Sequence, residues 1–357
     1  LVYGGGSIKR NGVYDQTVKA LAKSAVAVVE FGGVQPNPTL VQLRAGIALA
    51  KAEKVDTIVA VGGGSVIDLA KGIAGGACTD EDVWKAFIGQ LEFQRALPLL
   101  VVSTIPATGS EMNCGTVITN EATGQKLNAI NPNLFPKVSI CDPSVTFSIP
   151  ANYLAYSVVD AMSHLMEGYL TLSLPPAAVS IQDHYVEGLL KSLMSAIEQA
   201  LRDPQDYTAR ATLMWGSSLA LNGLSFAGVG AIGFPNHMLE HPLSARYNIA
   251  HGAGLAIVIP AWMTFEAERN PVRIARFARQ IFNIVESDDS VAARLGIRRL
   301  SDWFLSIGAP GTCTAAGIPD MDIDALTPQT HDVATIWGMA DTYTPAVIRC
   351  ILDKIPR

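Results

Sequence analysis

Hydrophobic and polar positions are distributed differently in the two halves of the chain. Up to about residue 150, short apolar, β-branched runs alternate with amphipathic segments, which is typical of β-α units on a parallel sheet. Predicted strands cover residues 25–31, 56–61, 98–104 and 137–141. Segment 39–54 has apolar residues at helical spacing and a proline at its entrance, so it predicts a crossover helix between the first two strands.

Beyond residue 150 the apolar residues recur with helical periodicity. Windows over residues 157–172, 179–201 and 207–222 follow one another without a convincing strand between them. The segment 142–150, with prolines towards both ends, is the natural boundary. The sequence therefore predicts an α/β domain with a Rossmann-like parallel sheet over residues 1–150 and an all-α domain over residues 151–357.

Composition and charge restrict the class of protein. Of the 357 residues, 49% are hydrophobic and only 16% are charged, which suffices for two hydrophobic cores. The net charge of −6 arises without any basic run, so nucleic acid is a poor candidate partner. The apolar stretches are shorter than a bilayer-spanning segment, which argues against a membrane partner.

The cysteines indicate the cellular compartment of the protein, and the first residues indicate whether the N-terminal strand is whole. Five widely spaced cysteines without a C-x-x-C pair disfavour a disulfide framework or a zinc ribbon and favour a reducing cytoplasm. Leu1, Val2 and Tyr3 resemble the end of a strand whose beginning is absent. We therefore expect an N-terminally truncated chain.

Two glycine-rich loops follow apolar segments and lead into predicted helices. They consist of Gly62, Gly63, Gly64 and Ser65, and of Gly4, Gly5, Gly6 and Ser7. Glycines let a backbone approach a diphosphate closely, and the free N–H groups of a helix start attract it. Ser65 and Asp68 have the spacing of a capping box. Glycine clusters also form ordinary turns, and that alternative stays open.

A third loop and the end of the predicted strand over residues 25–31 bear on the cofactor. Residues 103–112 are rich in hydroxyl groups and follow a predicted buried strand, so the loop is a candidate for contacts with a ribose or a carboxamide, or is a plain polar turn. Gly32 and Gly33 leave room where an acid usually binds the ribose 2′-hydroxyl. This favours NADP(H), with Glu30 as the alternative acid.

Three of the six histidines fall within fifteen residues: His237, His241 and His251. His237 and His241 are four residues apart and therefore share one face of a helix. Pro242 is expected to end that helix. His251 begins the next apolar segment, and the spacing allows it to fold back towards His237.

Asp160 and His164 form a second pair with the same spacing. Their neighbours are mostly apolar, and a carboxylate is costly to bury unless it is paired or bound to a metal. One carboxylate with several imidazoles suits Fe²⁺ or Zn²⁺, with positions left open for a substrate oxygen. Each pair alone also fits a structural contact or a solvated face. His184 and His331 lack such partners and are interpreted as structural.

Taken together, these motifs resemble those of the iron-dependent (group III) alcohol dehydrogenases. The motifs are the G-G-G-S loop with Asp68 and Lys71, the S-T-x-P-A-T-G-S-E loop, the D-x-x-x-H helix and the H-x-x-x-H-P segment followed by H-G. Residues 3–7 and 31–38 are similar to the NADPH-dependent butanol dehydrogenase and broad-specificity aldehyde reductase branch. The resemblance spans nearly the whole chain and implies a dehydroquinate synthase-like architecture.

The resemblance also implies roles for individual residues. The implied metal ligands are Asp160, His164, His237 and His251. His251 and His241 are the implied catalytic residues, with His241 beside the nicotinamide and the substrate as a proton relay. The implied cofactor contacts are Gly62, Gly63, Gly64, Ser65 and Asp68 at the phosphates, Thr104 and Thr108 nearer the ribose and nicotinamide, and Gly4, Gly5, Gly6 and Ser7 near the adenosine. The family also leads us to expect a homodimer or larger homo-oligomer.

These observations predict an NAD(P)-dependent alcohol dehydrogenase or aldehyde reductase. Residues 1–150 would bind the dinucleotide, and residues 151–357 would bind the metal and the substrate. The expected cofactors are NADP(H) in preference to NAD(H) and one divalent metal, Fe²⁺ or Zn²⁺, and the expected substrate is a small aldehyde or primary alcohol such as butanal or butanol. A metal-dependent lyase or cyclase of the dehydroquinate synthase type and a glycerol-type polyol dehydrogenase remain alternatives.

Overall fold

A parallel sheet organises the first part of the chain. In the computed structural model, which describes residues 1–172, 174 and 178–357, the chain divides into two units, Leu1–Ile149 and Pro150–Arg357. The strands of the first unit are β1 (Val2–Gly4), β2 (Phe31–Val34), β3 (Ile58–Gly62), β4 (Leu99–Ser103), β5 (Gly115–Asn120), β6 (Gln125–Ile130) and β7 (Val138–Cys141). Five of them form a parallel sheet in the order β2-β1-β3-β4-β7, and β5 and β6 form an antiparallel hairpin.

Helices cover the crossovers of this sheet. They are α1 (Ser7–Arg10), α2 (Val13–Lys23), α3 (Leu40–Ala52), α4 (Gly64–Gly76) and α5 (Trp84–Phe87). Helix α3 is the predicted crossover helix, and the side chain of Thr39 caps its start by accepting a hydrogen bond from the Gln42 N–H at 3.3 Å. Helix α4 is almost entirely buried. Gly72 lies so close to Leu43 of α3 that an added Cβ would lie 2.8 Å from that side chain.

Two local predictions for the first unit are wrong, and one element was missed from the sequence. Residues 25–30 are not a strand, because the backbone pairs with β1 only from Phe31 onward. The hairpin β5–β6 was not predicted, since its buried positions include the polar Thr116 and Lys126. The capping box at Ser65 is absent: α4 starts at Gly64 after Gly63, without a side-chain cap.

The second unit is built from helices. They are α6 (Ala151–Thr171), α7 (Ser180–Arg202), α8 (Tyr207–Ala220), α9 (Pro235–Tyr247), α10 (His251–Arg269), α11 (Val272–Phe282), α12 (Asp289–Ser306), α13 (Ile323–Ile336) and α14 (Pro345–Leu352). The predicted fold class, a parallel α/β sheet followed by a helical part, is confirmed. Within the described part of the chain, no helix has the length and apolar character needed to cross a membrane.

Helix α9 corrects one further prediction. Pro242 does not end it, since the helix continues to Tyr247. A proline inside a helix removes one backbone hydrogen bond and costs about 3 kcal/mol. Residues 235–244 are all buried, so packing on the rest of the unit offsets that cost. As a result, the helix that carries His237 and His241 is longer than expected.

Candidate metal centre and nucleotide site

Four predicted site residues converge in the second unit. Asp160 and His164 lie on α6, His237 lies on α9, and His251 is the first residue of α10. The Nε2 atoms of His164, His237 and His251 lie 3.5, 3.6 and 3.5 Å from one atom, Oδ1 of Asp160. Four potential ligand atoms, supplied by three helices, therefore face one another.

The buried polar atoms of this cluster test whether a metal ion fits. Asp160 is 3% exposed, and its Oδ1 and Nε2 of His237 have no hydrogen-bond partner among the residues that the structure describes. A buried carboxylate oxygen without a partner is costly, and a cation at this point would offset the cost. One carboxylate oxygen and imidazole nitrogens form a suitable donor set for Fe²⁺ or Zn²⁺. The residues present therefore fit a divalent metal.

The pKa shifts of Asp160 and His164 suit the same interpretation, whereas His237 must lose a proton before it binds a metal. Burial lowers the pKa of His237, but the carboxylates of Asp160 and Glu167 outweigh burial and raise it to about 9. Burial would raise the pKa of Asp160, but the adjacent imidazoles of His164, His237 and His251 outweigh it and hold the pKa below the usual range. Burial also lowers the pKa of His164 to about 3, which keeps that imidazole neutral. A neutral imidazole and an ionised carboxylate are the forms that bind a metal.

Two carboxylates that the sequence reading missed contact the outer nitrogens of the cluster. Glu167 on α6 lies 2.8 Å from Nδ1 of His237, and Glu240 on α9 is hydrogen-bonded to Nδ1 of His251. Both glutamates are fully buried. The available signal was spacing: Glu167 follows His164 by three residues in an apolar helix, and Glu240 follows His237 by three.

His241 lies beside the cluster. It is 3% exposed, its ring centroid is 5.7 Å from that of His251, and it packs edge-on against Trp337 at 5.2 Å. Its role as a proton relay stays a prediction. Among the described residues, the potential metal-binding groups include neither His184 nor His331.

The glycine loops of the first unit meet at the centre of its sheet. Strands β1 and β3 are neighbours, and the chain leaves β1 towards β2 on one side before returning to β3 on the other. Gly4 and Gly62 end these two strands. In open α/β sheets the point where strand order reverses is where nucleotides bind, at the carboxyl ends of the strands. Helix α4, which begins at Gly64, presents its N-terminus there.

The hydroxyl-rich loop joins the same edge of the sheet. The N–H of Thr104 donates to the carbonyl of Gly62 at 3.0 Å, and the Thr108 side chain occupies the space next to Gly64 where a Cβ would project. The structure thus brings Thr104 and Thr108 to Gly62, Gly63 and Gly64. The glycines here permit this close approach of the two loops.

Asp68 and Lys71 on α4 point into the interior of the first unit. The carboxylate of Asp68 accepts hydrogen bonds from Ser110 Oγ at 2.5 Å and from the Val117 N–H at 3.0 Å. Nζ of Lys71 donates to Ser110 Oγ, Asn113 Oδ1 and the Gly115 carbonyl at 2.8, 2.9 and 2.8 Å. Both side chains therefore fix the loop after β4, and the predicted contact of Asp68 with phosphate stays a prediction.

The sequence reading of residues 30–33 requires correction. Glu30 precedes β2 and so lies at the amino end of the strand, where it accepts hydrogen bonds from the hydroxyls of Tyr3 and Tyr14 at 2.7 and 2.6 Å. It is not at the carboxyl end, where an acid would bind a ribose. Gly32 does not provide free space either, because an added Cβ would lie 2.6 Å from Cζ of Tyr3.

Comparison with protein families gives matches to both units. A model described as iron-containing alcohol dehydrogenase matches residues 1–143, and a model described as Fe-containing alcohol dehydrogenase family, C-terminal, matches residues 154–349. The probable NADH-dependent butanol dehydrogenase 1 of Bacillus subtilis is 41% identical over 331 residues, covering 91% of this chain and 84% of that protein. The NADPH-dependent aldehyde reductase of Escherichia coli is 37% identical over 329 residues, again covering 91% and 84%.

Solved structures give a similar result. The NADH-dependent butanol dehydrogenase A of Thermotoga maritima has a TM-score of 0.93 to this chain at 41% sequence identity. The match covers 99% of this chain and 90% of that one. Similarity of this extent spans both the glycine loops and the histidine cluster.

Proposed function

The chain belongs to the iron-containing alcohol dehydrogenase family, and we propose that it transfers a hydride between NAD(P)H and an aldehyde or primary alcohol such as butanal or butanol. The predicted family, and the class of an NAD(P)-dependent alcohol dehydrogenase, are confirmed by the family models and the relatives. One observation carries the proposal for this chain. Oδ1 of Asp160 is buried without a hydrogen-bond partner among the described residues, and three imidazole nitrogens face it.

The proposed roles follow from chemistry and position. Asp160, His164, His237 and His251 would hold a divalent metal, which supplies a Lewis acid for the carbonyl or alcohol oxygen of the substrate. Gly62, Gly63, Gly64 and Ser65 would hold the diphosphate at the start of α4. Thr104 and Thr108 would bind nearer the nicotinamide, and His241, beside His251, would pass a proton between the substrate and solvent.

Removal of the metal tests the proposal. Purified protein is mixed with butanal and NADPH, and the absorbance band of reduced nicotinamide is followed before and after treatment with a chelator. We expect oxidation of NADPH in the metal-loaded protein, loss of this activity with chelator, and recovery on addition of Fe²⁺ or Zn²⁺. Activity that persists in fully metal-free protein would contradict the proposal.

We further propose that this chain uses NADP(H) in preference to NAD(H). β1 ends at Gly4, and Gly5 and Gly6 follow it, so this segment places no acid at the sheet edge where a ribose 2′-phosphate would be repelled. Relatives are named for both cofactors, NADH in Bacillus subtilis and NADPH in Escherichia coli. Because the relatives are named for both cofactors, the proposal of NADP(H) rests on the glycine loop after β1.

Gly5→Asp is expected to shift the NADPH to NADH ratio of kcat/KM at least tenfold towards NADH. A carboxylate there repels a 2′-phosphate and accepts a hydrogen bond from a 2′-hydroxyl, each worth about 1 kcal/mol or more. An added Cβ at Gly5 meets no atom within 4 Å among the described residues, so the substitution fits sterically. Gly5→Asn, of equal size without charge, is the control. An unchanged ratio in Gly5→Asp would refute the placement of the adenosine end at this loop.

We also infer a homo-oligomer and a cytoplasmic location. Large apolar side chains are exposed on the second unit, among them Ile181 and Trp215 at 77% and 55%, and a subunit interface would cover such surface. All five cysteines are free, as expected of a protein in a reducing compartment. Sedimentation of the purified protein measures the oligomeric state, and a monomer at all concentrations would refute that inference.

A further inference from the structure

Glu167 connects two of the helices that carry the metal-binding residues. It projects from α6, is fully buried, and its Oε1 lies 2.8 Å from Nδ1 of His237. The same carboxylate accepts hydrogen bonds from the backbone N–H groups of Asn236 and His237 at 3.3 and 2.9 Å. These N–H groups belong to the first turn of α9, where a negative charge is favourable. Glu167 therefore holds both the backbone and the ring of His237.

Glu240 holds His251 in a comparable way. It is fully buried on α9, and one carboxylate oxygen is hydrogen-bonded to Nδ1 of His251 on α10. Ser244 donates its hydroxyl to the other oxygen. Gly254 faces the same carboxylate so closely that an added Cβ would lie 2.6 Å from Oε1. The hydrogen bond from Ser244 holds the Glu240 carboxylate, and glycine at position 254 leaves the space that this carboxylate occupies.

We propose that Glu167 and Glu240 are positioning residues that keep the proton of His237 and His251 on Nδ1 and so direct Nε2 towards the metal. A carboxylate is an acceptor, so the ring nitrogen that faces it carries the hydrogen. The opposite nitrogen, Nε2, faces Asp160 and is the ring atom left to bind the metal. Carboxylates behind metal-binding imidazoles fix the ring orientation and raise its basicity. The inference rests on the metal centre proposed above.

His164 differs from the other two imidazoles. Its Nδ1 is buried and has no hydrogen-bond partner among the residues that the structure describes. Two of the three rings are therefore fixed by glutamates, and the third is oriented by Asp160 and by stacking on His237, with ring centroids 4.8 Å apart. Substitution of the glutamates should accordingly change the signals of His237 and His251 and leave those of His164 nearly unchanged.

The test combines metal affinity with a signal that needs no metal. Metal affinity is measured by competition of Zn²⁺ between the full-length protein and a chelator. The protonated ring nitrogen of each histidine is read from long-range proton–nitrogen NMR spectra of the metal-free protein labelled at its six histidines. We expect Glu240→Leu to weaken metal binding 10- to 100-fold and to remove the Nδ1–H signal of His251. Glu240→Gln retains an acceptor oxygen, so it should keep the Nδ1–H form and recover much of the affinity.

A glycine substitution provides the second variant. Gly254→Ala removes no polar group, but the added Cβ would lie 2.6 Å from Oε1 of Glu240. We therefore expect it to displace this carboxylate from His251, to weaken metal binding and to alter the His251 signal. Gly188→Ala on α7 is the matched control, because an added Cβ there meets no described atom within 4 Å. The same pair of measurements on Glu167→Leu, with Glu167→Gln as the variant that keeps an acceptor oxygen, tests His237.

The outcomes distinguish a failure of the positioning role from a failure of the proposed metal centre. Wild-type ring signals and metal affinity in both Glu240→Leu and Gly254→Ala would overturn the positioning role. If the wild-type protein binds no metal while these variants still change the His251 signal, the positioning role stands and the proposed metal centre fails. If the Glu240→Leu chain does not fold, Gly254→Ala decides: wild-type metal affinity and a wild-type His251 signal in this variant overturn the positioning role.

Discussion

Replacing Asp160 by asparagine is expected to lower kcat/KM for aldehyde reduction about a thousandfold. Asp160 is the one anionic group among the four proposed ligands, and its Oδ1 faces all three imidazoles. The amide keeps the size of the side chain and removes the charge that holds a divalent cation. A metal contributes several kcal/mol to stabilising the charge on the substrate oxygen, and about 4 kcal/mol corresponds to three powers of ten.

The measurement pairs steady-state kinetics with metal content and NADPH affinity. Asp160→Asn should retain less than a tenth of the bound metal, whereas NADPH should bind as in the wild type, because the glycine loops belong to the other unit. Asp302→Asn, at an exposed position of α12, is the control. An Asp160→Asn protein with full metal content and normal kinetics would remove Asp160 from the proposed site.

Lys71→Met is expected to reduce the free energy of unfolding by about 3 to 5 kcal/mol. Lys71 is completely buried, and its ammonium donates three hydrogen bonds to the loop after β4. Methionine leaves these acceptors unpaired and leaves the buried carboxylate of Asp68 without its nearest cation. Leaving buried hydrogen-bonding groups unpaired costs about 1 to 3 kcal/mol for each group, which gives a loss of this size. Urea unfolding measures the effect, with Lys19→Met, exposed on α2, as control.

The pH dependence of the same variant gives an independent check. Burial lowers the pKa of Lys71 from the ordinary lysine value of 10.5 to about 8 in the folded protein. Between these two values the unfolded chain binds the proton and the folded chain does not, so this group makes stability rise with pH. The difference in unfolding free energy between wild type and Lys71→Met should therefore increase from pH 8 to 10. A loss below about 1 kcal/mol at pH 7, or a pH-independent difference, would contradict the role assigned to Lys71.

The proximity of the proposed metal ligands could be predicted in part from sequence, because helical periodicity fixes which side chains share a face. Asp160 with His164, and His237 with His241, are each four residues apart, and this spacing alone predicts that each pair shares one helix face. Spacing did not reveal that His251 joins the cluster more closely than His241 does. That distinction depends on how α9 and α10 pack, and it came from the family resemblance.

The supporting glutamates and the loop network could not be predicted in the same way. A glutamate within a helix ordinarily faces solvent, and only the packing of α9 on α6 buries Glu167 against a helix start. The hairpin β5–β6 was missed because its inward positions carry Thr116 and Lys126 in place of apolar residues. The false strand over residues 25–30 is apolar but exposed, since strand pairing with β1 begins later.

The ring of Tyr3 lies over the backbone of Gly32 and ends at Glu30. A side chain at position 32 would collide with this ring and release Glu30 from its hydroxyl partner, so descendants of this chain cannot easily acquire a ribose-binding acid there. Position 5 has no such obstruction among the described atoms. With the adenosine end of the cofactor at the proposed place, evolutionary change between the two nicotinamide cofactors should proceed through the loop after β1, and sequence variation at residue 5 should track cofactor choice more closely than variation at residue 32.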